Sequence, residues 1–159
     1  MIEIRPAVDA DLEGVAAFMT DPGVRRWWGD TPAADLREQL EEYGAFVVIV
    51  DGDLAGWVQY DEETWFQGPC VAFDTAIADR FAGQGVGPEA LRLAVAHFAA
   101  LGHHRFTIDP AVANERAVRA YAKAGFAPVG VMRASSRVWP DDPFEDDLLM
   151  ELIVEAGRT

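Results

Sequence analysis

Asp74 lies within a predicted strand, Cys70 to Ala78, where an ionisable side chain is unusual. Because strand side chains alternate between two faces, Asp74 shares its face with three alanines, Ala72, Ala76 and Ala78. Small neighbours leave room for a ligand, and partial burial favours a carboxylate that accepts a proton or binds a cation. The alternative is a structural aspartate satisfied by a neighbouring hydroxyl or arginine.

A glycine-rich turn, Ala82 to Pro88, joins this strand to a helix predicted from about Pro88 to Leu101. The amides and dipole at a helix N-terminus attract phosphate groups, and glycines let the backbone approach an anion closely. The turn lacks the Gly-Lys-Ser/Thr of a P-loop, and the chain has no second mononucleotide-binding half. It is interpreted either as a phosphate or pyrophosphate site or as an ordinary strand-to-helix turn.

A later helix carries two more polar candidates, Asn114 and Tyr121, which the helical repeat places on nearly the same face. Asn114 is an expected N-cap, whereas Tyr121 is either a core aromatic or a phenol that protonates a departing thiolate. Asp109, which precedes Pro110, is either a turn residue or a second carboxylate near the same sheet edge.

Aromatic and acidic residues elsewhere suit a hydroxylated, cationic ligand, although such aromatics more often pack in cores. One aromatic pair is Trp27-Trp28. The second pair, Trp65-Phe66, and the acids Asp61, Glu62 and Glu63 lie in a loop predicted from Asp61 to Pro69. The acids of 35–42 and 141–147 are interpreted as solvated surface. The histidines lack metal-ligand spacing, so no metal site is expected.

The charge balance narrows the class of partner. The 159 residues include 27 acidic and 13 basic side chains, for a net charge of −14. This balance argues against binding nucleic acid or an anionic membrane surface. It favours a cationic small molecule, or it serves only solubility. One cysteine and the absence of a signal-peptide pattern predict a reducing, cytoplasmic location.

Helical and strand patterns alternate without repeats, which predicts one α/β or α+β domain, 1–159, around a mixed sheet. The predicted strands are 2–5, 46–50, 54–60, 70–78, 106–109, 126–133 and 148–154. The predicted helices begin at Asp9 or Asp11, at Thr31, near Pro88 and at Asn114, and Asp21 to Gly23 is predicted as a turn.

Two motifs in this order resemble the GCN5-related N-acetyltransferases (GNAT). They are Gly85-Val86-Gly87 after a strand and Asn-x-x-Ala-x-x-x-Tyr-x-x-x-Gly-Phe from Asn114 to Phe126. The resemblance implies the GNAT fold, a single mixed, mostly antiparallel sheet flanked by helices, and acetyl-coenzyme A as cosubstrate. The family's glycine motif usually opens with Gln or Arg, where this chain has Ala82, so one contact to the pyrophosphate is expected to be missing.

More narrowly, Trp27-Trp28-Gly29, the acidic-aromatic stretch 61–66, Asp74 and Asp109-Pro110 resemble the aminoglycoside 6'-N-acetyltransferase branch. Siderophore-type lysine N-acyltransferases are also similar, but more usually carry a histidine near the place of Asp74.

The resemblance assigns a role to each candidate residue. Asp74 is the expected base or amine anchor, Tyr121 the acid that protonates the thiolate, and the Ala76 amide the oxyanion donor. The residues expected to contact the coenzyme are Thr75, Ala76, Ile77, Gln84, Gly85, Val86, Gly87, Pro88, Asn114, Ala117, Tyr121 and Lys123. The residues expected to contact the acceptor are Trp27, Trp28, Glu62, Glu63, Trp65, Asp74 and Asp109.

The resulting hypothesis is acetyl transfer from acetyl-coenzyme A to an amine of a cationic small molecule, specifically an aminoglycoside antibiotic, by a monomer or homodimer. Such an activity would confer antibiotic resistance. The alternatives are an N-acyltransferase for siderophore lysines or protein N-termini, and a non-catalytic acyl-coenzyme A sensor.

Overall fold

The computed structural model describes residues 1–155, and a seven-stranded sheet forms its centre. The strands are β1 (Ile2–Pro6), β2 (Gly44–Val50), β3 (Asp53–Glu63), β4 (Cys70–Ile77), β5 (Arg105–Ile108), β6 (Ala127–Ser136) and β7 (Glu145–Ile153). Their order in the sheet is β1-β2-β3-β4-β5-β7-β6. β4 and β5 run parallel and the other neighbours antiparallel, which confirms the mixed, mostly antiparallel sheet.

Helices cover both faces of the sheet. They are α1 (Leu12–Met19), α2 (Pro22–Trp28), α3 (Ala33–Glu42), α4 (Val86–Ala100) and α5 (Glu115–Ala124). The core under α1, α2 and α3 includes Leu36 and Trp57. The core under α4 and α5 includes Phe98 and Tyr121. No helix within residues 1–155 is long and apolar enough to cross a membrane.

Two sequence-based predictions of local structure are wrong. Asp21 to Gly23 is not a simple turn, because Pro22 begins α2, where its fixed φ suits the first turn of a helix. Gly29 ends this helix with a φ of 73°. The segment from Asp61 is not yet a loop, because β3 continues to Glu63, which pairs with Cys70.

The parallel strands β4 and β5 stay together over a short distance only. They pair at Val71/Phe106, Ala72/Thr107 and Phe73/Ile108, and then separate. The opposite edge of β4 remains paired with β3 as far as Ile77. The separation opens a gap along the second half of β4, and it is this gap that positions the candidate site.

Gly44 provides a test of the packing that anchors β2. A Cβ at Gly44 would overlap the ring of Tyr60, which is held by Phe46 and Phe98 with ring centroids 5.0 and 4.8 Å away. We therefore expect Gly44→Ala to destabilise the fold by about 1–3 kcal/mol, the usual cost of overpacking.

Gly130 in β6 is the matched control, because a Cβ there would meet nothing within 4 Å. Gly130→Ala is expected to be neutral or to stabilise the protein by about 0.5 kcal/mol through the lower entropy of the unfolded chain. Urea unfolding measures both variants, and equal stability of the two would contradict the packing at Tyr60.

Candidate active site

Asp74 lies where β4 leaves β5, directly after the last paired residue, Phe73. Ala76 and Ala78 belong to the core under α1–α3, so alternation directs the Asp74 side chain to that face of the sheet. Asp74 is an exposed residue, although protein groups surround its carboxylate closely on the other sides. A ligand in the gap can therefore contact it.

Two more carboxylates affect the charge of Asp74. The pKa of Asp74 is raised to about 7, first by burial and then by the charge of Asp109, while the hydrogen bond from the Thr75 amide opposes the shift and Asp147 adds to it. The pKa of Asp109, which directly follows β5, is raised by burial and then by the charge of Asp147. The three acids thus form one electrostatic cluster.

Asp147 was wrongly predicted as solvated surface. It is only 4% exposed and accepts a hydrogen bond from the Ser136 hydroxyl at 3.0 Å. β7 begins at Glu145, earlier than the predicted Leu148, so Asp147 lies on a paired strand opposite Met132. The acidic residues of 141–147 lie close to two prolines, and nothing in this pattern of residues indicates that one of the acids faces inward.

Tyr121 approaches β4 from the opposite face. It lies on α5, which is capped by Asn114, whose side-chain oxygen accepts from the Ala117 amide at 3.2 Å. Tyr121 is 7% exposed, and its hydroxyl oxygen is 2.8 Å from the Thr75 hydroxyl oxygen. Burial raises the pKa of Tyr121, the charge of Asp74 raises it further, and the Thr75 hydrogen bond opposes the shift. The phenol is therefore protonated at neutral pH.

Thr75 connects the two faces through its backbone as well. Its amide donates to Asp74 Oδ1 at 3.0 Å, and its carbonyl accepts from the indole Nε1 of Trp28 at 3.1 Å. The structure thus brings together Asp74, Tyr121 and Trp28, which were predicted as site residues, around Thr75.

The expected role of the Ala76 amide needs correction. Backbone groups of alternate strand residues point to the same side, and the Ala78 amide donates to Ala55 in β3 at 2.9 Å. The Ala76 amide therefore also faces β3, where Ala76 pairs with Trp57. The amides that face the gap belong to Thr75 and Ile77.

The glycine turn meets the end of β4. A Cβ at Gly87 would lie 3.6 Å from the Ile77 side chain, and Gly83 and Gly85 have φ values of 72° and 79°. Helix α4 begins at Val86, two residues before the predicted start at Pro88. The N-terminus of α4 and the gap are thus continuous. Gln84 itself donates from its side chain to the Arg80 carbonyl at 2.9 Å.

Arg116 is a charged neighbour of this turn that sequence reasoning missed. Its Nη2 atom lies 3.8 Å from the position of a Cβ on Gly83. Arg80, which is closer in sequence, instead donates to the Leu54 carbonyl and lies 3.9 Å from Asp53. Arg116 therefore brings a positive charge to the turn in which Ala82 replaces the expected Gln or Arg.

The predicted acceptor residues divide into two groups by strand register. Asp61 and Glu63 pair with Ala72 and Cys70, on the Asp74 face of the sheet. Glu62 points to the other face, where its carboxylate is 2.8 Å from Nε2 of the buried His103. The structure therefore does not bring Glu62 to Asp74.

The predicted aromatic residues are also separated. Trp28 contacts β4, whereas Trp65 is 55% exposed in the loop after β3. Trp27 lies under the Arg26 guanidinium, 4.2 Å from the ring centroid. Lys123 contributes its carbonyl to Arg92 at 2.7 Å, a structural contact between α5 and α4.

The tip of the β6–β7 hairpin lies over α2 and adds an aromatic side chain that was not predicted. The Arg25 guanidinium is 5.2 Å from the ring centroid of Trp139, and Arg26 is 3.4 Å from Glu145. A Cβ at Gly29 would lie 3.2 Å from Val138. α2 and this hairpin are thus in contact beside the Asp74 face. Within residues 1–155 no three His, Cys, Asp or Glu side chains are arranged so that they could together hold a metal ion.

The family described as acetyltransferase (GNAT) domain matches residues 2–127. The chain belongs to this family. It is accordingly an N-acetyltransferase, and the predicted family and fold are confirmed. No curated protein gave a significant match to the acetyltransferase.

Solved structures with the same fold differ in their acceptors. The aminoglycoside acetyltransferase AAC(6')-Ib in complex with coenzyme A and kanamycin has a TM-score of 0.78 and 22% identity, covering 98% of this chain and 96% of that one. A chimera of the spermidine N-acetyltransferase SpeG from Vibrio cholerae and hSSAT has a TM-score of 0.79 and 20% identity, covering 96% and 95%. RimL, a ribosomal L7/L12 alpha-N-protein acetyltransferase, has a TM-score of 0.84 and 15% identity, covering 98% and 96%.

The raised pKa of Asp74 predicts a pH-dependent cost to stability. In the unfolded chain Asp74 ionises near its ordinary value of 3.8, but in the fold it keeps its proton until about pH 7. The folded state thus binds more protons, so this residue lowers stability as pH rises from about 4 to 7. We expect Asp74→Asn to have a higher Tm than the parent at pH 8, with the difference vanishing near pH 4.

Glu41→Gln on the exposed side of α3 is the control, because it removes a carboxylate far from the cluster. It should not reproduce this pH-dependent gain. A Tm difference for Asp74→Asn that is constant across the pH range would contradict the close protein surroundings of the Asp74 carboxylate.

Proposed function

We propose that this acetyltransferase transfers the acetyl group of acetyl-coenzyme A to a primary amine of a polycationic small molecule, most specifically an aminoglycoside at its 6' amine. The observation that supports this function is the gap between β4 and β5. A cluster of three carboxylates lies beside it, Tyr121 approaches from the opposite face, and a helix N-terminus lies at its end.

The donor would bind along the free edge of β4. The amides from Gln84 to Gly87 and the dipole of α4 suit its pyrophosphate, and Arg116 adds the charge that Ala82 does not supply. Pantetheine carries amides of its own, which can hydrogen-bond to the edge of β4 as a neighbouring strand would. The Ile77 amide, which faces the gap, is our candidate donor to the oxyanion.

The acceptor would bind on the Asp74 face. Asp74, Asp109 and Asp147 repel one another when ionised, and a ligand with several ammonium groups relieves this repulsion. The aromatic ring of Trp28 and the carboxylates Asp61 and Glu63 extend the same face. A polycation uses more of these groups than a single amine does, which favours an aminoglycoside over a protein N-terminus or a lysine derivative.

The chemistry would begin with loss of a proton from the reacting ammonium. Asp74 accepts this proton directly or through a water, since a base with a pKa near 7 is suited to neutral pH. The amine nitrogen then bonds to the acetyl carbon, the carbon–sulfur bond breaks, and the nitrogen loses a second proton to solvent as it becomes an amide. Tyr121 gives its phenolic proton to the departing thiolate and regains one from solvent, while Asp74 returns its proton to solvent.

A panel of acceptors tests the substrate class. Thiol release from acetyl-coenzyme A is measured with kanamycin-type and gentamicin-type aminoglycosides, spermidine, N-terminal peptides and free lysine derivatives. We expect the largest kcat/KM with an aminoglycoside. Turnover of peptides or lysine derivatives alone would show that the acceptor belongs to one of those classes and is not an aminoglycoside. Coenzyme binding without any turnover would favour a sensor.

Asp74→Asn tests the proposed base. Because the amide cannot accept the proton, we expect kcat to fall on the order of a hundredfold or more, with KM for acetyl-coenzyme A nearly unchanged. In the parent enzyme kcat/KM for the acceptor should rise as pH increases through about 7, and this limb should disappear in the variant. Parallel losses of turnover and coenzyme binding would instead show that Asp74 is structural.

Arg116→Ala tests the proposed phosphate contact. Loss of an exposed charge near the turn should raise KM for acetyl-coenzyme A about three- to fivefold and leave kcat unchanged. Arg119→Ala is the matched control, because Arg119 is on the same helix but lies 3.8 Å from Glu115. If both variants raise KM equally, the effect comes from net charge and not from the position of Arg116.

A further inference from the structure

Thr75 is held in place from three directions. Its amide donates to Asp74, its carbonyl accepts from Trp28, and its hydroxyl is 2.8 Å from the Tyr121 hydroxyl. A threonine has few accessible χ1 rotamers because its Cβ is branched. Here the backbone amide and carbonyl of Thr75 are also fixed by hydrogen bonds. The Thr75 hydroxyl is therefore a well-positioned hydrogen-bonding group beside the phenol.

We propose that Thr75 is a positioning residue for Tyr121, and that its hydroxyl donates to the phenolic oxygen so that the phenolic proton points into the gap. This inference rests on the proposed role of Tyr121 as the acid that protonates the thiolate. It extends the expected role of Thr75, which was only to contact the coenzyme.

The chemistry of the two hydroxyls decides the direction of this hydrogen bond during the reaction. Each oxygen carries one proton and can also accept. If Tyr121 donated to Thr75, the phenolic proton would be held in that hydrogen bond. The hydrogen bond would have to break before the proton could move to the sulfur. If Thr75 donates, the proton of Tyr121 is free for the sulfur, and the same hydrogen bond remains when the phenol becomes a phenolate.

The buried setting makes this donor more important. Tyr121 is 7% exposed and packs in the core under α4 and α5, where water is scarce around a phenolate. A hydrogen bond to the charged oxygen is stronger than one to the neutral phenol, so it favours proton release. During transfer the phenolic O–H bond breaks and an S–H bond forms, while Thr75 keeps its own proton.

Four proteins form the test: Thr75→Val, Thr75→Ser, Tyr121→Phe and the double variant Thr75→Val/Tyr121→Phe. Valine has the shape of threonine without the hydroxyl, whereas serine keeps the hydroxyl. We expect Tyr121→Phe to lower kcat on the order of tenfold, less than most general acids contribute, because a thiolate leaves partly unaided. Thr75→Val should lower kcat about fivefold, as expected for one hydrogen bond.

The variants also separate positioning from structure. KM for acetyl-coenzyme A should stay within about twofold in Thr75→Val, Thr75→Ser should recover most of the lost kcat, and the double variant should be no slower than Tyr121→Phe alone. Thr20→Val, which removes a hydroxyl bonded to Ala17 in an exposed turn, controls for general effects of this substitution.

Each outcome tests either the positioning role of Thr75 or the role of Tyr121 as the acid. If Tyr121→Phe lowers kcat but Thr75→Val does not, or if the two losses multiply in the double variant, Thr75 does not act through Tyr121. If Tyr121→Phe leaves kcat unchanged, the proposed acid is wrong, and a loss in Thr75→Val must then arise from the coenzyme site. A change in KM for the coenzyme without a change in kcat would also overturn the positioning role.

Discussion

The separation of β4 from β5 is the constraint on which the rest of the site depends. Pro110 follows shortly after β5, and its carbonyl accepts from Leu148 in β7, so the chain turns toward β7 and leaves β4. Backbone groups of β4 that lose this partner must be satisfied in another way, because an unpaired polar group is costly when buried. At Thr75 the Asp74 carboxylate and the Trp28 indole fill this role. At Ile77 the edge remains available to a ligand.

Bringing carboxylates to this gap has an electrostatic cost that the fold tolerates. Asp74 and Asp109 have raised pKa values because burial and neighbouring acids disfavour their ionised forms. A fold selected for stability alone would place a small apolar residue at Asp74, among the neighbouring alanines. The net charge of −14 therefore has two components: a solvated surface and a small cluster of mutually repelling carboxylates, which a cationic ligand would stabilise.

The sequence singled out the parts of the candidate site that depend on local patterns. Asp74 stands out because strand alternation isolates it among alanines, and the glycine turn and the helix of Tyr121 have recognisable spacing. Asp147, Arg116 and Trp139 were missed because their positions depend on the register of β7, the reach of α5 and the folding of a hairpin over α2. Glu62 was misplaced for a similar reason: one residue of strand register decides which face a side chain occupies.

The alternation of strand side chains also explains how two adjacent residues of β4 can reach both the proposed base and the proposed acid. Asp74 and Thr75 necessarily project to opposite faces of β4, so the proposed base on one face is next to the residue that contacts the proposed acid on the other. In the proposed mechanism the amine loses its proton on one side of the acetyl group, and the sulfur gains one on the other side. The peptide group between Asp74 and Thr75 supplies the amide that donates to the Asp74 carboxylate. A shift of β4 at this point would therefore displace the Asp74 carboxylate and the Thr75 hydroxyl together. On the proposed mechanism, a change that moved the backbone of Thr75, such as loss of the Trp28 contact, would consequently impair both proton transfers, whereas a change confined to the Thr75 hydroxyl would affect only the transfer from Tyr121.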